Sequence, residues 1–114
     1  MPHIIVEYAA PLADQYDFDA LCKELVAAAM STSAFETPED IKVRMLPATH
    51  WYQEVENATF AHLTVRLLTG RTLAQKQEVT NAILRATSAR LTDVGSISVD
   101  IKEIERDTYV KRVI

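Results

Sequence analysis

Apolar and polar positions along the chain change period several times, and each change marks an element. Residues 3–8, His3-Ile4-Ile5-Val6-Glu7-Tyr8, form a run rich in β-branched and aromatic residues, the signature of a strand. Pro11 and Asp14 mark a loop behind it. From Phe18 the apolar positions recur at Leu21, Cys22, Leu25, Val26 and Ala29, the spacing of one helical face. Asp17 stands where an N-cap belongs, and the helix is expected to end within residues 31–33. Residues 41–46 alternate Ile41, Val43 and Met45 with Lys42, Arg44 and Leu46, a second strand that Pro47 is expected to close. The clearest strand is 60–68, with Ala61, Leu63, Val65 and Leu67 on one side and Phe60, His62, Thr64 and Arg66 on the other. Gly70 turns the chain, and Thr72-Leu73-Ala74-Gln75 has the form of a capping box. A long helix to about Leu91 follows, with Leu73, Thr80, Leu84, Thr87 and Leu91 along its predicted inner face and Gly95 expected to stop it. Residues 96–101 alternate as a final strand.

The order is strand, helix, strand, given twice, with halves at residues 2–47 and 59–104 of a single 1–114 domain. The residue identities are not repeated; the pattern is. Parallel strands joined through a helix cross over right-handedly, which predicts an α+β fold with a four-stranded sheet and both helices on one face. The opposite face mixes Phe60 and Thr64 with His62 and Arg66, and such a face needs a cover. An oligomer is therefore expected.

Composition narrows the classes. The 48% hydrophobic and 25% charged residues are those of an ordinary globular protein, and 114 residues suffice for one core. A net charge of −4 without a basic stripe argues against a nucleic-acid partner. The first twenty residues hold acids but no Lys or Arg, unlike a secretory leader, and no apolar run approaches the ~20 residues of a membrane span. With one cysteine there is no internal disulfide, so a reducing, cytoplasmic setting is expected.

Candidate chemistry begins at Pro2. Removal of Met1 would make its nitrogen a free secondary amine, and α-amino groups titrate near ~7.7–8.0, where burial and neighbouring cations can tune them for proton transfer. Lys42 and Arg44 share one face of the second strand, and Arg71 falls at the turn into the second helix, beside first-turn N–H groups that favour anions. Each cation alone reads more readily as a solvated surface charge. Together with a free amine they form a coherent proton-transfer site for a small acid. His3 flanks Pro2, His62 belongs to the polar face, and His50 with Trp51 and Tyr52 suits either a pocket wall or a satellite cluster. The histidines show no metal-ligand spacing, Cys22 sits on an apolar face, and no Gly-rich phosphate loop is present, so no metal or cofactor is expected.

Met1-Pro2-His3-Ile4-Ile5-Val6-Glu7-Tyr8 resembles the amino terminus of the 5-carboxymethyl-2-hydroxymuconate isomerases of the tautomerase superfamily. Further matches are Ile41-Lys42-Val43-Arg44, Phe60-Ala61-His62-Leu63-Thr64, and Gly70-Arg71-Thr72-Leu73 with Gln77. The resemblance is strongest at residues 2–8 and 60–77 and weakest between Tyr8 and Glu39 and after Arg106. It implies a homotrimer with sheets packed around a central barrel and sites at subunit boundaries. It also implies Pro2 as the acid/base and Arg71 as a carboxylate binder; Arg44 matches as well, and either a compensating or a structural role is open to it. Lys42 departs from the family's usual arginine, keeping the charge without the bidentate fork.

The expected function is thus a cofactor-free keto–enol isomerase of aromatic catabolism, acting on a 5-carboxymethyl-2-hydroxymuconate-like dienol carboxylate. The rival is a non-catalytic ferredoxin-like module that binds a small ligand or a partner. Fold alone does not separate them. The need for a free Pro2 nitrogen does.

Overall fold

The computed structural model describes residues 1–114. Its strands are β1 (His3–Ala9), β2 (Lys42–Ala48), β3 (Phe60–Leu68) and β4 (Ser96–Ile104), and its helices α1 (Phe18–Met30) and α2 (Leu73–Arg90). The sheet order is β2-β1-β3-β4. β1 pairs parallel with β2, β3 parallel with β4, and the two pairs join antiparallel through β1 and β3.

Period-two alternation decides which face of the sheet is dry. On the central strands Ile4, Val6 and Tyr8 alternate with His3, Ile5 and Glu7, and Ala61, Leu63, Val65 and Leu67 alternate with His62, Thr64 and Arg66; the first set of each is buried. These residues form one core with Leu21, Leu25 and Ala29 of α1 and Val79 and Ile83 of α2. Tyr8 meets Phe18 edge-on at 4.5 Å between ring centroids, tying β1 to the start of α1. Truncating a member such as Leu63 removes transfer energy and leaves a cavity, a loss of about 2–5 kcal/mol. On the opposite face, register lays the residues out in rows across the sheet, one of them Lys42, His3, Arg66 and Lys102.

Both helices begin where their caps are. Asp17 accepts from the Ala20 N–H at 2.9 Å. Thr72 and Gln75 form a reciprocal capping box, each side chain bonded to the other's backbone N–H at 3.1 and 3.0 Å.

Three details differ from the sequence reading. Pro47 does not close the second strand but lies inside β2, paired with Tyr8; β2 is an edge strand, where the missing N–H faces away from the ladder. The inner face of α2 is Val79, Ala82, Ile83 and Thr87, whereas Leu73 and Leu84 are 69% and 38% exposed. Helix α2 ends at Arg90 with Leu91 as its C-cap, before Gly95 is reached. The glycine serves a close approach instead, since a Cβ there would collide with the Asn57 carbonyl, while its N–H donates to Thr59 Oγ1 at 2.9 Å. No helix is long and apolar enough to cross a membrane.

Candidate active site

The strand directions gather four separate segments at one end of the sheet. β1 and β2 begin there and β3 and β4 finish there, as the pairs His3–Lys42, His3–Arg66 and Arg66–Lys102 show. Residues before β1, before β2, after β3 and after β4 therefore meet around a cavity of about 380 Å³ bordered by Pro2, Phe35, Asp40, Gly70, Arg71 and Arg106. Two hollows of similar volume lie along α2, away from the chain start.

Pro2 is buried immediately ahead of β1, and its carbonyl accepts the Lys42 N–H at 3.1 Å, which registers it against the second strand. Met1 precedes it in the structure, so the amine at this position belongs to Met1. That amine is held below the ordinary α-amino value, chiefly by burial; Asp40 opposes the shift, and Lys111, Lys42 and Arg71 add to it. The Asp40 carboxyl lies below its usual range because it accepts from Thr37 Oγ1 at 2.9 Å and because the terminal ammonium favours its charge.

Arg71 is half-buried and held by backbone carbonyls. Its Nε donates to Ala34 O and its Nη1 to Leu68 O, both at 3.2 Å, and its Cζ lies 5.3 Å from the centre of the Phe35 ring. Gly70, at φ +125°, makes the preceding turn in a region that favours glycine. Arg106 arrives from beyond β4 and donates through Nε and Nη2 to Thr69 O at 3.2 and 2.8 Å. The ion pairs of the molecule join Lys76 to Glu103, Arg90 to Glu24 and Lys102 to Asp100. Neither cavity arginine takes part in one. The first-turn N–H groups of α2 expected to assist Arg71 are partly engaged already, two of them by the capping box.

The structure brings Pro2 and Arg71 together at the cavity and leaves the other predicted residues out of its lining. Lys42 opens β2 with an exposed side chain that does not border the cavity, although its charge bears on the terminal amine. Arg44 lies on the open sheet face, its Nη1 at 3.0 Å from His3 Nδ1. His3 is held below the ordinary histidine value by burial, then by Arg44, Lys42 and Arg66. His62 bonds Ser98 at 2.6 Å on that same face. Trp51 packs against Phe60 and donates to Ala58 O at the far end of the sheet, and neither it nor the exposed His50 borders this cavity. Cys22 is partly buried on α1, and burial raises its thiol above the usual value. No grouping of three or more His, Cys, Asp or Glu side chains is placed to hold a metal ion.

Phe35, Asp40 and Arg106 escaped the sequence reading. They lie in aperiodic segments, where pattern carries no information. A topological signal was nonetheless present: once β4 is parallel to β3, whatever follows β4 must emerge beside Gly70.

Solved structures of similar shape identify the fold. A 5-carboxymethyl-2-hydroxymuconate delta-isomerase, 21% identical, superposes with a TM-score of 0.77 over 99% of this chain and 88% of its own. A 5-carboxymethyl-2-hydroxymuconate isomerase from Deinococcus radiodurans, 19% identical, gives 0.79 over 97% and 88%. An asymmetric trimer of a wild-type fused 4-OT, 20% identical, gives 0.77 over 96% and 91%. At such identities the likeness establishes the fold, the repeated β-α-β sheet of the tautomerases. The sequence goes further: the 5-carboxymethyl-2-hydroxymuconate isomerase family model matches residues 2–113, and the chain belongs to that family. No curated protein matches it.

Proposed function

We propose that the protein is a cofactor-free keto–enol isomerase acting on a 5-carboxymethyl-2-hydroxymuconate-like dienol carboxylate, with Pro2 as the acid/base once Met1 is removed. The observation that carries this reading is the meeting of a buried Pro2 with the unpaired guanidinium of Arg71 in one cavity. Family membership supplies the reaction type.

Ketonisation breaks the enol O–H bond, moves the conjugated double bonds and forms a C–H bond. One amine of depressed pKa can take the first proton and deliver the second. Burial and the charges of Lys111, Lys42 and Arg71 already lower the terminal amine at this place, and the freed Pro2 nitrogen would stand one residue closer to the sheet. Arg71 would hold a substrate carboxylate through the nitrogen not engaged by Ala34 and Leu68, and would stabilise dienolate charge as it develops. Lys42 contributes through its field. A part for Arg44 in substrate binding rests on the open sheet face meeting a neighbouring subunit's cavity.

That condition belongs to a homotrimer, which the same proposal includes. The open face carries half-buried Ile5, His62 and Thr64 that another subunit would cover, and the fused 4-OT relative is a trimer. A cytoplasmic place in aromatic catabolism completes the reading.

The test is Pro2→Ala, prepared with Met1 processing verified by intact mass and assayed by the ultraviolet change of a 2-hydroxydienoate. Turnover should fall about 10²–10⁴-fold, the usual worth of general acid–base catalysis, while the thermal midpoint stays in place. An unchanged rate would sink the Pro2 mechanism, and an absence of turnover in the processed wild type would favour the binding module.

A further inference from the structure

We propose that Arg106 is a substrate-binding residue that, beside Arg71, holds a second carboxylate of the muconate-type dienoate proposed above. The inference rests on the cavity being the ligand site, and it assigns a role to a segment that the proton-transfer reading leaves unused.

Three observations carry it. First, Arg71 and Arg106 are anchored to successive carbonyls of one turn, Leu68 O and Thr69 O, and both border the cavity that contains Pro2. Two cations held at one lip repel each other, an arrangement that favours a bound anion to relieve it. Secondly, each guanidinium is fixed through two of its three nitrogens by carbonyls alone. The remaining Nη2 of Arg71 and Nη1 of Arg106 make no hydrogen bond within the protein. A planar fork oriented this way, without an internal carboxylate, is preorganised for an external one. The acids bordering the cavity do not neutralise it: Asp40 is bonded to Thr37, and neither Asp40 nor Glu36 forms an ion pair with an arginine. Thirdly, Arg106 lies directly against the turn. A Cβ on Gly70 would stand in ordinary contact with Arg106 Nη2 at 3.5 Å, and the turn's φ of +125° favours glycine at that position.

The chemistry that fits two neighbouring free guanidinium faces beside a proton-transfer group is a conjugated acid with at least two carboxylates. A monocarboxylate engages one arginine and forgoes the second charge-assisted contact, so a ligand with two carboxylates is preferred.

A matched pair of unreactive probes tests this without requiring turnover. Muconate and sorbate are both planar six-carbon dienoates, with two carboxylates and one respectively. Binding of each is followed by NMR titration of the full chain, in the wild type and in Arg106→Met, Arg106→Lys and Arg71→Met. The wild type should bind muconate more tightly than sorbate. Arg106→Met should weaken muconate by about 10–100-fold and leave sorbate nearly unchanged, as expected for one charge-assisted contact. Arg106→Lys should keep part of the preference, and Arg71→Met should weaken both ligands. If Arg106→Met weakens both probes alike, the residue only braces the Gly70 turn and the proposal fails. It fails equally if the wild type shows no preference for muconate. A chain that prefers muconate through Arg106 yet isomerises no 2-hydroxydienoate would overturn the isomerase reading and leave this one standing.

Discussion

Two places in the molecule hold arginines tightly, and they hold them in opposite ways. Along the seam between α1 and α2, Arg90 makes a bidentate pair with Glu24, Nε to Oε1 at 2.8 Å and Nη2 to Oε2 at 3.1 Å. Its pKa is raised by that hydrogen bond and then by the carboxylate's charge. At the end of the sheet, Arg71 and Arg106 are gripped as firmly, but by the carbonyls of Ala34, Leu68 and Thr69. A carboxylate neutralises what it orients. A carbonyl orients and leaves the full charge available. The first arrangement fastens two helices together, and the second leaves two cations open to the anion proposed above.

The sharpest way to break this comparison is to remove the cation in each place. Arg71→Ala should lower kcat/KM on a 2-hydroxydienoate by about 10–100-fold, mostly through KM, because it deletes a charge-assisted contact to substrate. Arg90→Ala should leave turnover unchanged and lower the thermal midpoint slightly, as expected for a half-exposed pair. If the two variants behaved alike in the turnover assay, the distinction between held and available charge would be empty.

A smaller effect concerns the cations of the open face. His3 is kept below its ordinary value by burial, then by Arg44, Lys42 and Arg66. On acidification the unfolded chain takes up this proton first, near the usual pH of about 6.5, so stability drops from there down through the lower folded value. Thermal midpoints measured between pH 7 and pH 5 should therefore decline, and His3→Gln should decline less steeply. Equal slopes would show that the histidine does not sense those neighbours.

The legibility of the sequence followed the same division between regular and irregular parts. The central strands were readable because a period of two over 3–8 and 60–68 admits one buried side, and the structure buries that side. The capping box was readable because Thr72 and Gln75 carry their chemistry locally. The inner face of α2 was read only in part: Thr87 and Leu91 are buried as expected, but Leu73 and Leu84 are not, for a physical reason. The helix is weakly amphipathic, so leucines at 73 and 84 weighed as much as Val79 and Ile83, and only docking on the sheet settles which ones are covered. Pro47 misled because its meaning depends on whether a strand is central or at an edge, a fact of topology rather than of local pattern. In the candidate site, Pro2 and Arg71 stood out beside Met1 and Gly70. Arg106 lies in a tail of mixed charge and becomes visible only when the parallel pairing of β3 and β4 delivers it to the same turn.

The most direct test of the central claim is the protonation of Pro2 itself. A nitrogen-15 NMR pH titration of the chain with Met1 removed reports the terminal amine alone. The account predicts a midpoint below that of the same amine in the unfolded chain, coincident with the pH at which the ketonisation rate changes. A midpoint at or above the unfolded value, with a rate indifferent to it, would contradict the assignment of Pro2 as the group that moves the proton.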